Sequence, residues 1–99
     1  MNYRIRLTEA AQEDLEQLFN FTVQHDFEAA ERALEAIEKG FELIKSIPFS
    51  CRKANSSNPF LRESIIPLGS SGYLALFEIE DDEMITVLAV RHQREDDYY

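Results

Sequence analysis

Few side chains in this sequence are equipped for chemistry, and most of those lie in its last third. The closing segment ITVLAVRHQREDDYY holds Arg91, His92, Arg94 and Tyr98, and Arg62 stands upstream in LRESIIPLGSSGYLALFEI. These residue types suit metal-free cleavage of a phosphodiester. A base must take the 2′-hydroxyl proton, an acid must protonate the leaving oxygen, and cations must stabilise the phosphorane between them. His92 has the intrinsic pKa for acid–base work near neutrality. Arg62 and Arg91 can each grip a phosphate through two parallel N–H donors. Without the reaction, the same residues make a polar and aromatic surface on which a protein target can be held.

The charge balance disfavours the nucleolytic reading. Ten basic residues stand against nineteen acidic ones, a net charge of −9, whereas nucleic-acid binding calls for a basic face. The acids are unevenly placed. One set runs from Glu9 to Glu42, another fills Glu80 to Glu83, and a third lies at Glu95 to Asp97. Arg52, Lys53, Arg62, Arg91 and Arg94 fall between them, which predicts an acidic helical side and a mildly cationic sheet side. Arg91 and His92 are neighbours on a predicted strand, so they point to opposite faces.

Each candidate also has a plain structural role. By strict alternation Arg91 shares a face with Ile85, Val87 and Ala89, as a solvated residue at a strand end. His92 then belongs with Met84, Thr86, Leu88 and Val90, as a hydrogen-bonding residue at the helix–sheet edge. Arg62 suits an ion pair across the sheet. Tyr73 heads the apolar series Tyr73, Ala75, Phe77, Ile79 and is expected in the core. Cys51 has Arg52 beside it, which would favour its thiolate, yet the residue reads most simply as incidental. It is the one cysteine, so no internal disulfide is available, and no Cys/His set suggests a metal or other cofactor.

The elements that must position these residues follow from periodicity. Ninety-nine residues bound the chain to one domain, residues 1–99. Tyr3, Ile5 and Leu7 alternate with arginines, the period of a half-buried strand. Thr8 is placed to cap a helix from Glu9 to about Gln24, whose stripe is Ala11, Leu15, Leu18, Phe19 and Thr22. Asp26 caps a second helix from Phe27 to about Ser46, with Ala30, Ala33, Leu34, Ile37, Phe41 and Ile44 as its stripe, and Pro48 stops it. So short a link makes the two helices an antiparallel hairpin. Residues 49–60, FSCRKANSSNPF, read as a loop. Strands are predicted at Leu61 to Ile66, Tyr73 to Ile79 and Met84 to Arg91, joined by short turns and therefore antiparallel. The expected fold is α+β, in the order β-α-α-β-β-β, with the hairpin packed on one face of a small, mostly antiparallel sheet. No apolar run approaches the ~18 residues that span a bilayer and no secretory leader is evident, so the chain is expected to be cytoplasmic, away from membranes.

That order, the alanine-rich DFEAAERALEAIEKGFELIKSIP, the strand–turn–strand LRESIIPLGSSGYLALFEI and the ending ITVLAVRHQREDDYY together resemble the RelE/ParE toxins of type II toxin–antitoxin systems. The strand closing in Val-Arg-His, followed by Gln-Arg and a terminal Tyr, is similar to the ParE branch. The resemblance spans Tyr3 to Tyr99. It implies a toxin that arrests growth when freed from a labile antitoxin, whose extended, partly helical tail wraps over it. ParE-like members poison DNA gyrase by binding. RelE-like members are ribosome-dependent mRNA endoribonucleases, with Arg62, Arg91, His92 and Tyr98 as the catalytic candidates here. An inactive, binding-only member is the third alternative. On the ParE-like reading, Arg62, Arg91, His92, Arg94 and Tyr98 contact the target, and the toxin alone binds no specific nucleic-acid sequence. The first helical stripe is needed for the core, so the antitoxin is expected to use the off-stripe apolar residues Phe21, Val23 and Phe27.

Overall fold

The structure, a computed structural model, describes residues 3–68 and 71–92. Strand β1, Arg4–Leu7, leads into helix α1, Glu9–His25. The Thr8 hydroxyl accepts the Ala11 N–H at 3.1 Å, which satisfies one of the donors a helix start leaves open. Asp26 then serves two helices. Its own N–H donates to Thr22 O at 2.9 Å and closes α1, while its carboxylate accepts from the Glu28 and Ala29 amides at 3.0 and 3.3 Å and opens α2, Phe27–Ser46. One residue thus makes the whole link of the hairpin. Pro48 ends α2 as expected and starts a 3-10 turn, Pro48–Ser50.

Four more strands follow: β2, Arg52–Asn55; β3, Asn58–Leu68; β4, Ser71–Ile79; and β5, Met84–His92. The sheet order is β1-β5-β4-β3-β2. Only the β1/β5 pairing is parallel; the others are antiparallel. The expected fold is present, with one correction. Residues 49–60 are not a loop throughout, because β2 pairs there with the start of β3 through Arg52↔Glu63 and Lys53↔Arg62. The Ser and Asn residues that suggested a loop build a tight turn instead. Asn55 Oδ1 accepts from the amide and hydroxyl of Ser57 at 2.8 and 2.7 Å, and Asn58 Oδ1 accepts the Phe60 amide at 3.0 Å.

The hairpin covers one face of the sheet. Ala11, Ala33, Ile37 and Ile44 meet Ile66, Tyr73, Ala75, Phe77, Ile79, Ile85, Val87 and Val90 in one core. Small residues let α2 sit close to the strands. Leu34, expected in this stripe, is 42% exposed, because the buried line runs Ala30, Ala33, Ile37, Ile44 and leaves it on the flank.

A bulge changes the end of β5. Leu76 pairs with Ala89 but Phe77 pairs with Val87, so Leu88 is an extra residue. Alternation is reset there. The helix-facing series runs Ile85, Val87, then Val90 and His92. The faces expected for Arg91 and His92 are therefore exchanged: His92 shares the Ile85 and Val87 face, and Arg91 lies on the face away from the helices, opposite Leu74. Helix α1 supports the bulge. The Thr8 hydroxyl donates to Leu88 O at 3.2 Å and Asp14 Oδ2 accepts the Val90 N–H at 3.0 Å.

Candidate functional site

The candidates divide among the end of β5, the two faces of the sheet and the tip of the hairpin. At the end of β5, His92 pairs with Tyr73 across the strands, and the two rings meet edge to face at 5.7 Å between centroids and 87°. Tyr73 is in the core, as expected. Burial pushes its phenol above the ordinary value, partly offset by a hydrogen bond with Thr22 of α1. His92 is thus half-buried at the helix–sheet edge, while Arg91 is exposed on the other side of the sheet. Their opposition survives the bulge, and a phosphate held by one is screened from the other by the sheet itself.

The face away from the helices carries Arg4, Arg6 and Arg52, each beside a carboxylate. Arg4 lies 3.7 Å from Glu83, Arg6 2.5 Å from Glu80, and Arg52 3.0 Å from Glu63. Arg6 Nε also donates to Thr86 Oγ1 at 2.9 Å, and that hydroxyl donates to Glu80 Oε2 at 2.6 Å, closing a triangle. Of the five cations expected on the sheet side, Arg52 is therefore paired with a carboxylate, as are Arg4 and Arg6, which lay outside that set. Between them the face is apolar: by register Leu61, Ile65, Leu74, Leu76 and Ala89 share it.

Arg62 is neither in a cross-sheet ion pair nor on that face. The register puts it on the helix side, opposite Phe77, where it is buried. Its Nε donates to Pro59 O at 2.7 Å, and its Nη1 donates to Phe49 O at 3.1 Å and Cys51 O at 2.8 Å. The guanidinium carbon sits 5.2 Å from the centre of the Phe49 ring. The side chain holds the 3-10 turn against β3. Sequence reasoning missed this because the carbonyls that hold Arg62 belong to the segment read as a loop. The cation that acts on Cys51 is also Arg62. Burial raises this thiol, with Ser64 and Arg62 acting in the opposite direction.

At the hairpin tip Phe21 and Phe27 are 67% and 61% exposed, and Val23 is half-buried. Phe21 lies against His25 with ring centres 4.7 Å apart. A second exposed aromatic pair, Phe49 and Phe60, had no signal in the periodicity because both flank the supposed loop; their rings meet at 6.2 Å and 73°. Arg94 and Tyr98 lie outside the described residues. No helix among the described residues is long and apolar enough to cross a membrane.

Two helices laid on one face of a five-stranded mixed sheet is the RelE/ParE toxin fold. Solved structures agree. The toxin–antitoxin structure described as the chromosomal ParDE system from P. aeruginosa matches with a TM-score of 0.68 at 19% identity, covering 91% of this chain and 95% of that one. A chain of the toxin–antitoxin complex RelBE2 from Mycobacterium tuberculosis matches with a TM-score of 0.63, also at 19% identity, over 93% and 99%. A comparison with curated proteins finds no match. The family model for the ParE toxin of the type II toxin–antitoxin system parDE matches residues 5–97, and the chain belongs to that family.

Proposed function

We propose that this chain arrests bacterial growth by binding DNA gyrase in the cytoplasm, with no reaction of its own, and that a cognate antitoxin neutralises it. The observation that carries the reading is the ParE family match over residues 5–97. The geometry supports it. Phosphodiester cleavage needs acid, base and cations converging on one phosphate, yet Arg91 and His92 occupy opposite faces, Arg62 is locked into the fold, and Arg4, Arg6 and Arg52 each have a carboxylate partner. A binding surface has no such need for convergence. On this reading the target contact is built on Arg91 and His92 together with Arg94 and Tyr98, and the buried Arg62 drops out of it. The two solved structures named above come from toxin–antitoxin systems, which supports an antitoxin partner. The exposed Phe21 and Phe27, with Val23 beside them, are its proposed anchor on the hairpin.

The test is induction of this chain alone in a bacterium, with separate pulse labelling of DNA and protein synthesis. DNA synthesis stopping first, with cleaved gyrase complexes accumulating, is the expected result. Translation stopping first, with messenger cut at ribosomes, replaces the reading with an endoribonuclease. Unimpaired growth leaves a binding-only member of the family.

A further inference from the structure

The end of the sheet remote from His92 holds a slot that the proposed function does not use. It forms where β1, the 3-10 turn, the start of β3 and the β4–β5 turn come together. Tyr3, Phe49, Phe60 and Ile79 wall a cavity of about 250 Å3, and Glu80, Asp81 and Asp82 line its other side. A second cavity of about 520 Å3 adjoins it, sharing Tyr3, Phe49 and Asp82 and extending along Ile47 and Pro48. Phe49 and Phe60 are each about half exposed, at 49% and 50%, so their rings are presented and not packed away.

The rings and the acids are both held in place. Arg62 clamps Phe49 from beneath, bonded to its carbonyl and lying against its ring. Asp81 Oδ1 accepts the Glu83 and Met84 amides at 2.7 and 2.9 Å and fixes the turn, and Glu80 is tied to Arg6 and Thr86. That leaves Asp82, which among the described residues has no hydrogen-bond or ion-pair partner. In charge terms the turn carries four carboxylates, Glu80, Asp81, Asp82 and Glu83, against two arginines, Arg6 and Arg4. The excess of two negative charges falls on the Asp81 and Asp82 side.

Aromatic faces beside carboxylates attract a cation on an apolar stem. A ring's negative face favours the cation, its body covers methylenes, and a nearby carboxylate supplies the counter-charge. The same acids repel nucleic acid. We propose that this slot is a docking site for an arginine or lysine side chain of a partner protein, with its aliphatic stem across the exposed Phe49 and Phe60 rings and its cation against Asp82. β5 runs nine residues from this end to His92, about 27 Å at strand rise, so the site is separate from the proposed target surface at the other end.

The experiment is a titration of the isotope-labelled full chain, followed by its amide resonances. The probe is a blocked pentapeptide with one central arginine between leucines; its twin carries norleucine there. The arginine peptide is expected to shift the Phe49, Phe60 and Asp82 amides saturably, with a dissociation constant in the millimolar range. The norleucine peptide should bind about tenfold more weakly, or not at all. Asp82→Asn and Phe60→Ala should each weaken the arginine peptide by about threefold to tenfold, with melting temperatures close to the parent's. Equal binding of both peptides overturns the proposal in favour of a purely apolar groove. So does an unchanged affinity in Asp82→Asn, the absence of saturable shifts at about 10 mM, or self-association of the chain through this face in sedimentation.

Discussion

Asp14 on α1 accepts the amide hydrogen of Val90 on β5 at 3.0 Å, and this bond helps to decide which way His92 faces. Strand β1 pairs with β5 only as far as Val87. Beyond it that side of β5 would border a gap, and a buried N–H without a partner is costly. Helix α1 supplies what the strand does not: the Thr8 hydroxyl takes the Leu88 carbonyl and Asp14 takes the Val90 amide. The Leu88 carbonyl and the Val90 amide at the bulge are thereby both bonded.

Asp14→Ala is accordingly expected to destabilise the protein by about 1–3 kcal/mol, since it strands a part-buried donor. Asp14→Asn keeps an acceptor oxygen and should lose less. Thermal melting measures the first effect, and hydrogen exchange at the Val90 amide localises it. Parent-like melting with full protection of Val90 in Asp14→Ala would show that the bulge is held by other means.

The bulge also marks where sequence legibility ended. Thr8 and Asp26 were readable as caps because capping is local chemistry, and the Tyr73 to Ile79 series was readable because its alternation is unbroken. The faces of Arg91 and His92 were not, because one inserted residue inverts every later assignment and nothing in LAV announces it. Strand β2 was hidden for a related reason: its residues are polar on both sides and owe their pairing to β3. The role of Arg62 was hidden because it depends on carbonyls of Phe49, Cys51 and Pro59, up to 13 positions away. Residues that hold themselves in place by local bonds were legible, and those held by distant backbone were not.

The two arginines that the sequence treated alike should separate in experiment. Arg62→Ala strips partners from three carbonyls and is expected to cost about 2–4 kcal/mol. Arg62→Lys should recover little, because an ammonium cannot reproduce the planar fork. Arg91→Ala, at an exposed position, should cost less stability than Arg62→Ala while weakening growth inhibition. Melting curves set beside colony counts after induction check both. An Arg62→Ala protein that melts like the parent yet fails to inhibit growth would return Arg62 to the target surface.

Tyr73 predicts a response to alkali. Its folded-state pKa is raised above the ordinary 10.0, chiefly by burial, so the folded protein holds this proton more tightly than the unfolded chain. The associated stability is fully present below the unfolded pKa and is lost as pH rises through the folded one. Denaturant midpoints should therefore fall from about pH 10 upward, and Tyr73→Phe should flatten that fall. An equally steep decline in Tyr73→Phe would assign it to other groups.

Gly40 faces Ile66 where α2 packs on β3, and the sign of a substitution there can be worked out in advance. An alanine inside a helix is ordinarily better than glycine by about 1 kcal/mol. Here a Cβ on Gly40 would stand 2.7 Å from Ile66 Cγ1 and 2.8 Å from Cδ1, inside any real contact distance. Ile66 is 2% exposed and has no room to withdraw. The overlap must move the helix or force a poor rotamer, at about 1–3 kcal/mol, which exceeds the helical gain. Gly40→Ala should therefore destabilise the parent. In an Ile66→Ala background, where the obstructing atoms are gone, the same change should stabilise, because only the helical term is left. Denaturant melts of the four proteins test this reversal. If Gly40→Ala has the same sign in both backgrounds, the two residues are not in the contact described, and α2 sits further from the sheet than this packing requires.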